Sequence, residues 1–184
     1  MALRGLGVAL VLMIAGCAVE DPGAAGASGG AETAASGGGT PAPDFSLPNL
    51  AGQPVRLADF RGKIVIIDFW ATWCPPCIFQ VPELNKFWKT HQAAGDVMVI
   101  GVAVDADGVE VVGPWAEEQG IEYTIVIGDE SLAREYGALG FPTLVIVTPE
   151  GNVDSLHVGL IEVSELEALI APFQSAPEPR ADAG

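Results

Sequence analysis

The sequence predicts an α/β domain, a mixed β-sheet with helices on both faces and a hairpin at its N-terminal end. Three observations predict it. Apolar runs rich in Ile and Val recur at residues 63–71 (KIVIIDFWA), 97–105 (VMVIGVAVD) and 123–128 (YTIVIG), as strands buried on both faces require. Stretches with helical signals alternate with these runs. A strand–turn–strand and a helix then close the chain, an order that gives a mixed rather than a purely parallel sheet.

Each element has its own signal. FSLPNLAGQPVRL reads as two short extended pieces around a turn at residues 49–53. PCIFQVPELNKFWKTH is helical, with Pro82 expected to interrupt it. GPWAEEQG carries a short helix with Pro114 near its start and Gly120 at its end. ESLAREYG is a helical turn or two. TLVIVT, the turn PEG and VDSLHV make a strand, a turn and a strand. SELEALIAPF shows a capping box, Ser164 with Glu167, and apolar residues Leu166, Leu169, Ile170 and Phe173 at helical spacing. No internal repeat is visible.

With 184 residues and 49% hydrophobic composition the chain can bury one core. Its formal net charge of −16 repels phosphate and anionic lipid headgroups. Nucleic acid is therefore not an expected partner. The acidity serves solubility, or steers the chain toward a basic partner.

The first residues read as an export signal. Arg4 precedes an apolar run from Leu6 to Ile14, too short to span a bilayer, and the run ends in IAGC. Small residues before a cysteine resemble a bacterial lipobox, which implies cleavage before Cys17 and lipid on its thiol. The alternative is ordinary signal cleavage with Cys17 incidental. Residues 1–16 are thus expected to be a lipoprotein signal peptide. Residues 17–42, poor in large side chains, form a flexible tether with a reach of roughly 30 Å. Residues 43–174 fold, and residues 175–184 are a disordered tail. The expected location is extracytoplasmic, lipid-anchored to a bacterial membrane and periplasmic if that bacterium is Gram-negative.

Apart from Cys17 the cysteines are Cys74 and Cys77, spaced C-x-x-C where a buried strand passes into a helix. An exported chain can hold a disulfide there. A bridge over two residues closes so small a loop that stabilisation alone is a poor use of it. At the helix N-terminus unpaired N–H groups and the helix dipole favour a thiolate, so Cys74 is expected to be the exposed, nucleophilic thiol. Cys77 is expected one turn into the helix and buried. Pro75 suits the first helical turn, and Pro76 stiffens the position after it.

DFWATWCPPC resembles the active site of the thioredoxin superfamily. The longer stretch PDFSLPNLAGQPVRLADFRGKIVIIDFWATWCPPC is similar to the TlpA/ResA-like branch of extracytoplasmic thiol–disulfide oxidoreductases. GALGFPTLVIVTPEG resembles the same family's cis-proline segment, and the span between Cys77 and Pro142 has room for that branch's extra β-α element. The resemblance implies a thioredoxin-like fold and a redox-active Cys74–Cys77 disulfide. In it Cys74 attacks a substrate disulfide and Cys77 resolves the mixed disulfide. Asp68, six residues before Cys74, would relay a proton for Cys77 as a buried carboxylate; the plainer reading is a strand-end aspartate with local hydrogen bonds. Pro142 would be the cis-proline, with Phe141 backbone and the exposed rim of Trp73, Pro75 and Pro76 binding substrate. Trp70 reads as core. Gln80 stands where many relatives carry glutamate and cannot exchange a proton, and Phe141 is bulkier than the residue often found before the cis-proline.

The resemblance further implies protein thiol or disulfide substrates and no cofactor. It favours a reductant of apocytochrome c or copper-site thiols, fed by a membrane thiol-electron donor. A monomer is expected. The two histidines, His91 and His157, lack zinc-finger spacing to the cysteines, and Ile78 stands where c-type haem attachment needs histidine. The remaining rival is a non-catalytic module that binds Cu(I) through both thiolates; otherwise no metal is expected.

Overall fold

The computed structural model describes residues 39–174. The expected signal, Cys17, most of the expected tether and the expected tail lie outside them. The strands are β1 (Thr40–Pro41), β2 (Ser46–Pro48), β3 (Pro54–Arg56), β4 (Ile64–Trp70), β5 (Val97–Ala103), β6 (Thr124–Ile127), β7 (Thr143–Val147) and β8 (Asn152–Val158). The helices are α1 (Cys77–His91), α2 (Val109–Gln119), α3 (Glu130–Glu135) and α4 (Val163–Ile170). Six strands form one sheet in the order β1-β8-β7-β4-β5-β6, and β2 pairs with β3 alone. β4 runs parallel to β5 and antiparallel to β7. This is the mixed, thioredoxin-like sheet with helices that the sequence implies.

Burial follows position in the sheet. All seven residues of β4 and all five of β7 are buried, because these strands are covered on both faces. β8 lies nearer the edge and alternates between partly buried and exposed residues. Leu84 and Phe87 of α1 and Leu166 and Ile170 of α4 pack with Ile64, Ile66, Val97, Val99, Leu144 and Ile146. Ala133 of α3 and the adjacent Tyr136 join a second cluster with Val65, Ile67 and Phe69, where the Phe69 and Tyr136 rings lie 5.3 Å apart. The turn of the first hairpin is held by Asn49, whose Oδ1 accepts the Ala51 and Gln53 N–H groups, both at 2.9 Å.

Four local expectations need correction. The chain assigned to the tether already enters the sheet at Thr40–Pro41, which pairs with Asn152 and Val153. α1 passes through Pro82 without a break. The lost N–H would have served the carbonyl of Ile78, which is on an exposed part of the helix where water can take its place. α2 begins at Val109, so Pro114 is interior; burial of Val112 extends the helix before the proline, and Gly120 ends it in left-handed geometry at φ 65°. The capping box of α4 does not form. The helix starts at Val163, whose N–H donates to a Glu83 carboxylate oxygen of α1 at 3.1 Å, while Glu167 meets His91 at 2.8 Å. Contacts with α1 thus replace the local cap.

Candidate active site

β4 delivers the chain into the turn that holds both cysteines. Cys74 and Cys77 are joined in a disulfide with Cα atoms 5.4 Å apart. Cys77, not Cys74, begins α1, and Cys74 to Pro76 form the turn before it, closed by the Cys77 N–H donating to the Cys74 carbonyl at 3.1 Å. The double proline explains the shift, since a residue before proline is disfavoured in helical geometry and Pro75 precedes Pro76. The disulfide nevertheless brings the Cys74 sulfur to the first residue of the helix. No acidic residue lies in that first turn to oppose a thiolate.

Exposure does not separate the cysteines as expected. In the disulfide form Cys74 is 4% and Cys77 2% exposed, because each sulfur shields the other. What separates them is the groove beside the disulfide, about 450 Å³ in volume, whose wall includes Cys74 but not Cys77. Trp73, Pro75, Pro76 and Phe141 also line it; Pro142 does not. Trp73 is 59% exposed and meets Phe141 edge-on at 5.8 Å between ring centroids. The Phe141–Pro142 bond is cis. The Thr143 hydroxyl donates to the Gly140 carbonyl at 2.7 Å, and the Gly159 N–H to the Pro142 carbonyl at 2.9 Å.

The opposite wall of the groove was not read from the sequence. It comes from α3, through Glu130 and Arg134, and from Leu139, which is 87% exposed. Arg134 donates to Glu130 at 3.2 Å. The i, i+4 charge pair and an apolar residue just ahead of the proline segment are visible signals. Neither says which side of the cysteines these residues will face.

Asp68 is carried by β4 into the interior, where it is 2% exposed. Burial away from water lifts its carboxyl from an ordinary 3.8 to about 7. Among the described residues its Oδ1 has no hydrogen-bond partner, and neither has the buried Trp70 Nε1. Gly101 stands opposite Asp68 in the parallel register. A Cβ there would come within 2.9 Å of Trp70 Nε1 and 3.0 Å of the Tyr123 ring, so close packing requires glycine at this position. The Tyr123 hydroxyl is pushed up by burial and then by the charge of Asp68. Trp70 is core, stacked on Trp115 at 4.7 Å.

Gln80 is buried and its amide works at both ends. Its Nε2 donates to the Ile161 carbonyl at 3.2 Å, and its Oε1 accepts the Ile161 N–H at 2.9 Å. It fastens the segment before α4 to the start of α1. Among the described residues no group of three or more His, Cys, Asp or Glu side chains is placed to hold a metal ion.

The family model described as AhpC/TSA matches residues 39–156. The thioredoxin-like protein YneN of Bacillus subtilis (strain 168) is 31% identical over 129 residues, covering 70% of this chain and 76% of that protein. Thiol–disulfide oxidoreductase ResA of Geobacillus thermodenitrificans (strain NG80-2) is 32% identical over 131 residues, 70% of this chain and 74% of ResA. Among solved structures, a thiol:disulfide interchange protein of the thioredoxin family from Chlorobium tepidum TLS superimposes with a TM-score of 0.65 at 30% identity, covering 76% of this chain and 99% of that one.

Proposed function

This chain belongs to the AhpC/TSA family and is a thiol–disulfide oxidoreductase of thioredoxin-like fold, and from that premise we propose that it is a membrane-tethered, extracytoplasmic reductant of protein disulfides. The observation that carries the reading is the Cys74–Cys77 disulfide beside a groove that Cys74, and not Cys77, lines.

In the reductive direction the Cys74 thiolate attacks one sulfur of a client disulfide. A mixed disulfide forms and the first client thiolate leaves. Cys77 loses its proton to Asp68 and attacks the Cys74 sulfur, which releases the second client thiolate and leaves the Cys74–Cys77 disulfide. Two electrons pass to the client, and a membrane thiol-electron donor returns two to the enzyme. Asp68 suits the proton transfer because its carboxyl, near 7, can gain and lose a proton at working pH. The Phe141 backbone beside the cis-proline offers hydrogen bonds to an extended client segment, and Trp73, Pro75 and Pro76 form its apolar rim. Lipid on Cys17 would hold the domain at the membrane. Clients of this chemistry are apocytochrome c thiols and the copper-site cysteines of respiratory oxidases.

The test is the reduction potential of the Cys74–Cys77 couple. A reductant is expected on the thioredoxin side, at roughly −270 mV; a value toward roughly −120 mV would make the chain an oxidant.

A further inference from the structure

A second buried carboxylate reaches into the active-site turn. Asp105 lies two residues beyond the end of β5 and is buried. Its Oδ1 and Oδ2 accept the backbone N–H of Thr72 at 3.2 and 3.1 Å, and Oδ1 also accepts the Thr72 hydroxyl at 2.5 Å. Thr72 is two residues before Cys74. The flanking backbone is tied as well. The Val104 N–H donates to the Trp70 carbonyl at 3.0 Å, and the Cys74 N–H donates to the Ala71 carbonyl at 3.1 Å. Three of these ties converge on the single buried carboxyl group of Asp105, and hydrogen bonds within a poorly hydrated site are strengthened.

The two cysteines are held differently. Cys77 is the first residue of α1 and moves only with the helix. Cys74 lies on a turn, and once the disulfide opens the sulfur–sulfur tether is gone. What still fixes its backbone is the Cys77 N–H bond to its carbonyl at 3.1 Å and the hold on the residues just before it. Closing a disulfide between two thiols is a ring closure, and its equilibrium depends on how well both groups are already oriented.

We propose that Asp105 is a positioning residue for the dithiol, which holds Thr72 so that Cys74 stays opposite Cys77 after reduction and the pair closes again readily. Asp105 acts through Thr72 and touches neither sulfur in this role. It thereby helps set how strongly reducing the couple is.

The test equilibrates the full chain with mixtures of reduced and oxidised glutathione. Two glutathione thiols supply two electrons and two protons to the Cys74–Cys77 disulfide and leave as glutathione disulfide. Thr72→Val keeps the side-chain shape and deletes the hydroxyl donor; it is expected to shift the equilibrium threefold to tenfold toward the dithiol. Asp105→Ala is expected to shift it tenfold or more, a tenfold shift being about 30 mV for this two-electron couple. Thr72→Ser restores the hydroxyl and is expected within twofold of wild type. A merely structural role would weaken the oxidised and reduced forms alike and leave the equilibrium unmoved. Should Asp105→Ala not fold, the threonine pair decides alone. Thr72→Val within twofold of wild type, or Thr72→Ser shifted as far as Thr72→Val, overturns the proposal. The inference rests on the cysteine pair cycling. A wild type that does not exchange with glutathione defeats that reading, whereas a normal wild type with unmoved variants defeats the positioning role alone.

Discussion

Burial decides what Asp68 can do. Its charge is penalised inside the sheet, so it keeps its proton up to about pH 7. Two predictions follow from that one property. Asp68→Asn should slow turnover of a protein disulfide roughly tenfold to a thousandfold, the scale of lost proton transfer, while alkylation of Cys74 stays nearly intact. Rate against pH from 5 to 9 checks it, and a variant that tracks wild type throughout removes the proton relay. Stability should respond as well. A folded-state value raised above the unfolded one stabilises most below the unfolded pKa, and that contribution is lost as pH rises through the folded pKa. Wild type should therefore lose about 4 kcal/mol between pH 4 and 8 that Asp68→Asn does not lose, measured by urea unfolding at both values. The burial of Asp68 was implied by the family resemblance, and it agrees with the nearly continuous apolar run in which Asp68 stands. The hold of Asp105 on Thr72 was not. It joins residues 33 apart in sequence through the β4–β5 register, and no local pattern marks it.

The corrections at the level of elements share one cause, the outcompeting of local signals by tertiary contacts. Ser164 and Glu167 fit a capping box by spacing, yet Glu83 caps α4 and His91 draws Glu167 away. Pro82 and Pro114 are helix-breaking by type, yet both helices continue because their buried faces continue. The start of α1 is the exception, set locally by the proline pair. Gln80 shows what joins α1 to the segment before α4, and it yields a prediction. Glutamate in its place could serve both ends of the Ile161 peptide only while protonated, since an ionised carboxylate has nothing to donate. Its folded pKa would therefore be raised, with the pair intact at low pH and lost as pH rises. Gln80→Glu should lie within about 1 kcal/mol of wild type near pH 4 and be less stable by about 1–3 kcal/mol at pH 8, by urea unfolding. A constant difference across that range would show that the amide pairing does not matter.

For the molecule as a whole, the mixed sheet and the alternation of strands with helices along the chain were readable because the buried strands are long and apolar and the cysteine turn sits at a strand–helix junction. The groove was half readable. The Cys74 side came from the motif, but the α3 side depends on how α3 and the segment before Pro142 come together, which spacing does not reveal. That wall gives a prediction. Trp73→Ala and Leu139→Ala should each raise KM for a protein disulfide several-fold and leave the reaction with a small-molecule disulfide near wild type. Equal losses with both substrates would mean that these side chains support the cysteines rather than bind the client. Tethering is tested by mass spectrometry of the chain produced with residues 1–16 in a bacterial host, with diacylglycerol on Cys17 as the expected outcome and a lipid-free mature chain as the contrary one. The central claim is that Cys74 attacks and Cys77 resolves, and trapping tests it most directly. Cys77→Ser, reduced and mixed with a disulfide-bonded protein, should accumulate a mixed disulfide through Cys74, while Cys74→Ser accumulates none. A mixed disulfide that forms through Cys77 in Cys74→Ser, as fast as through Cys74 in Cys77→Ser, would contradict the account.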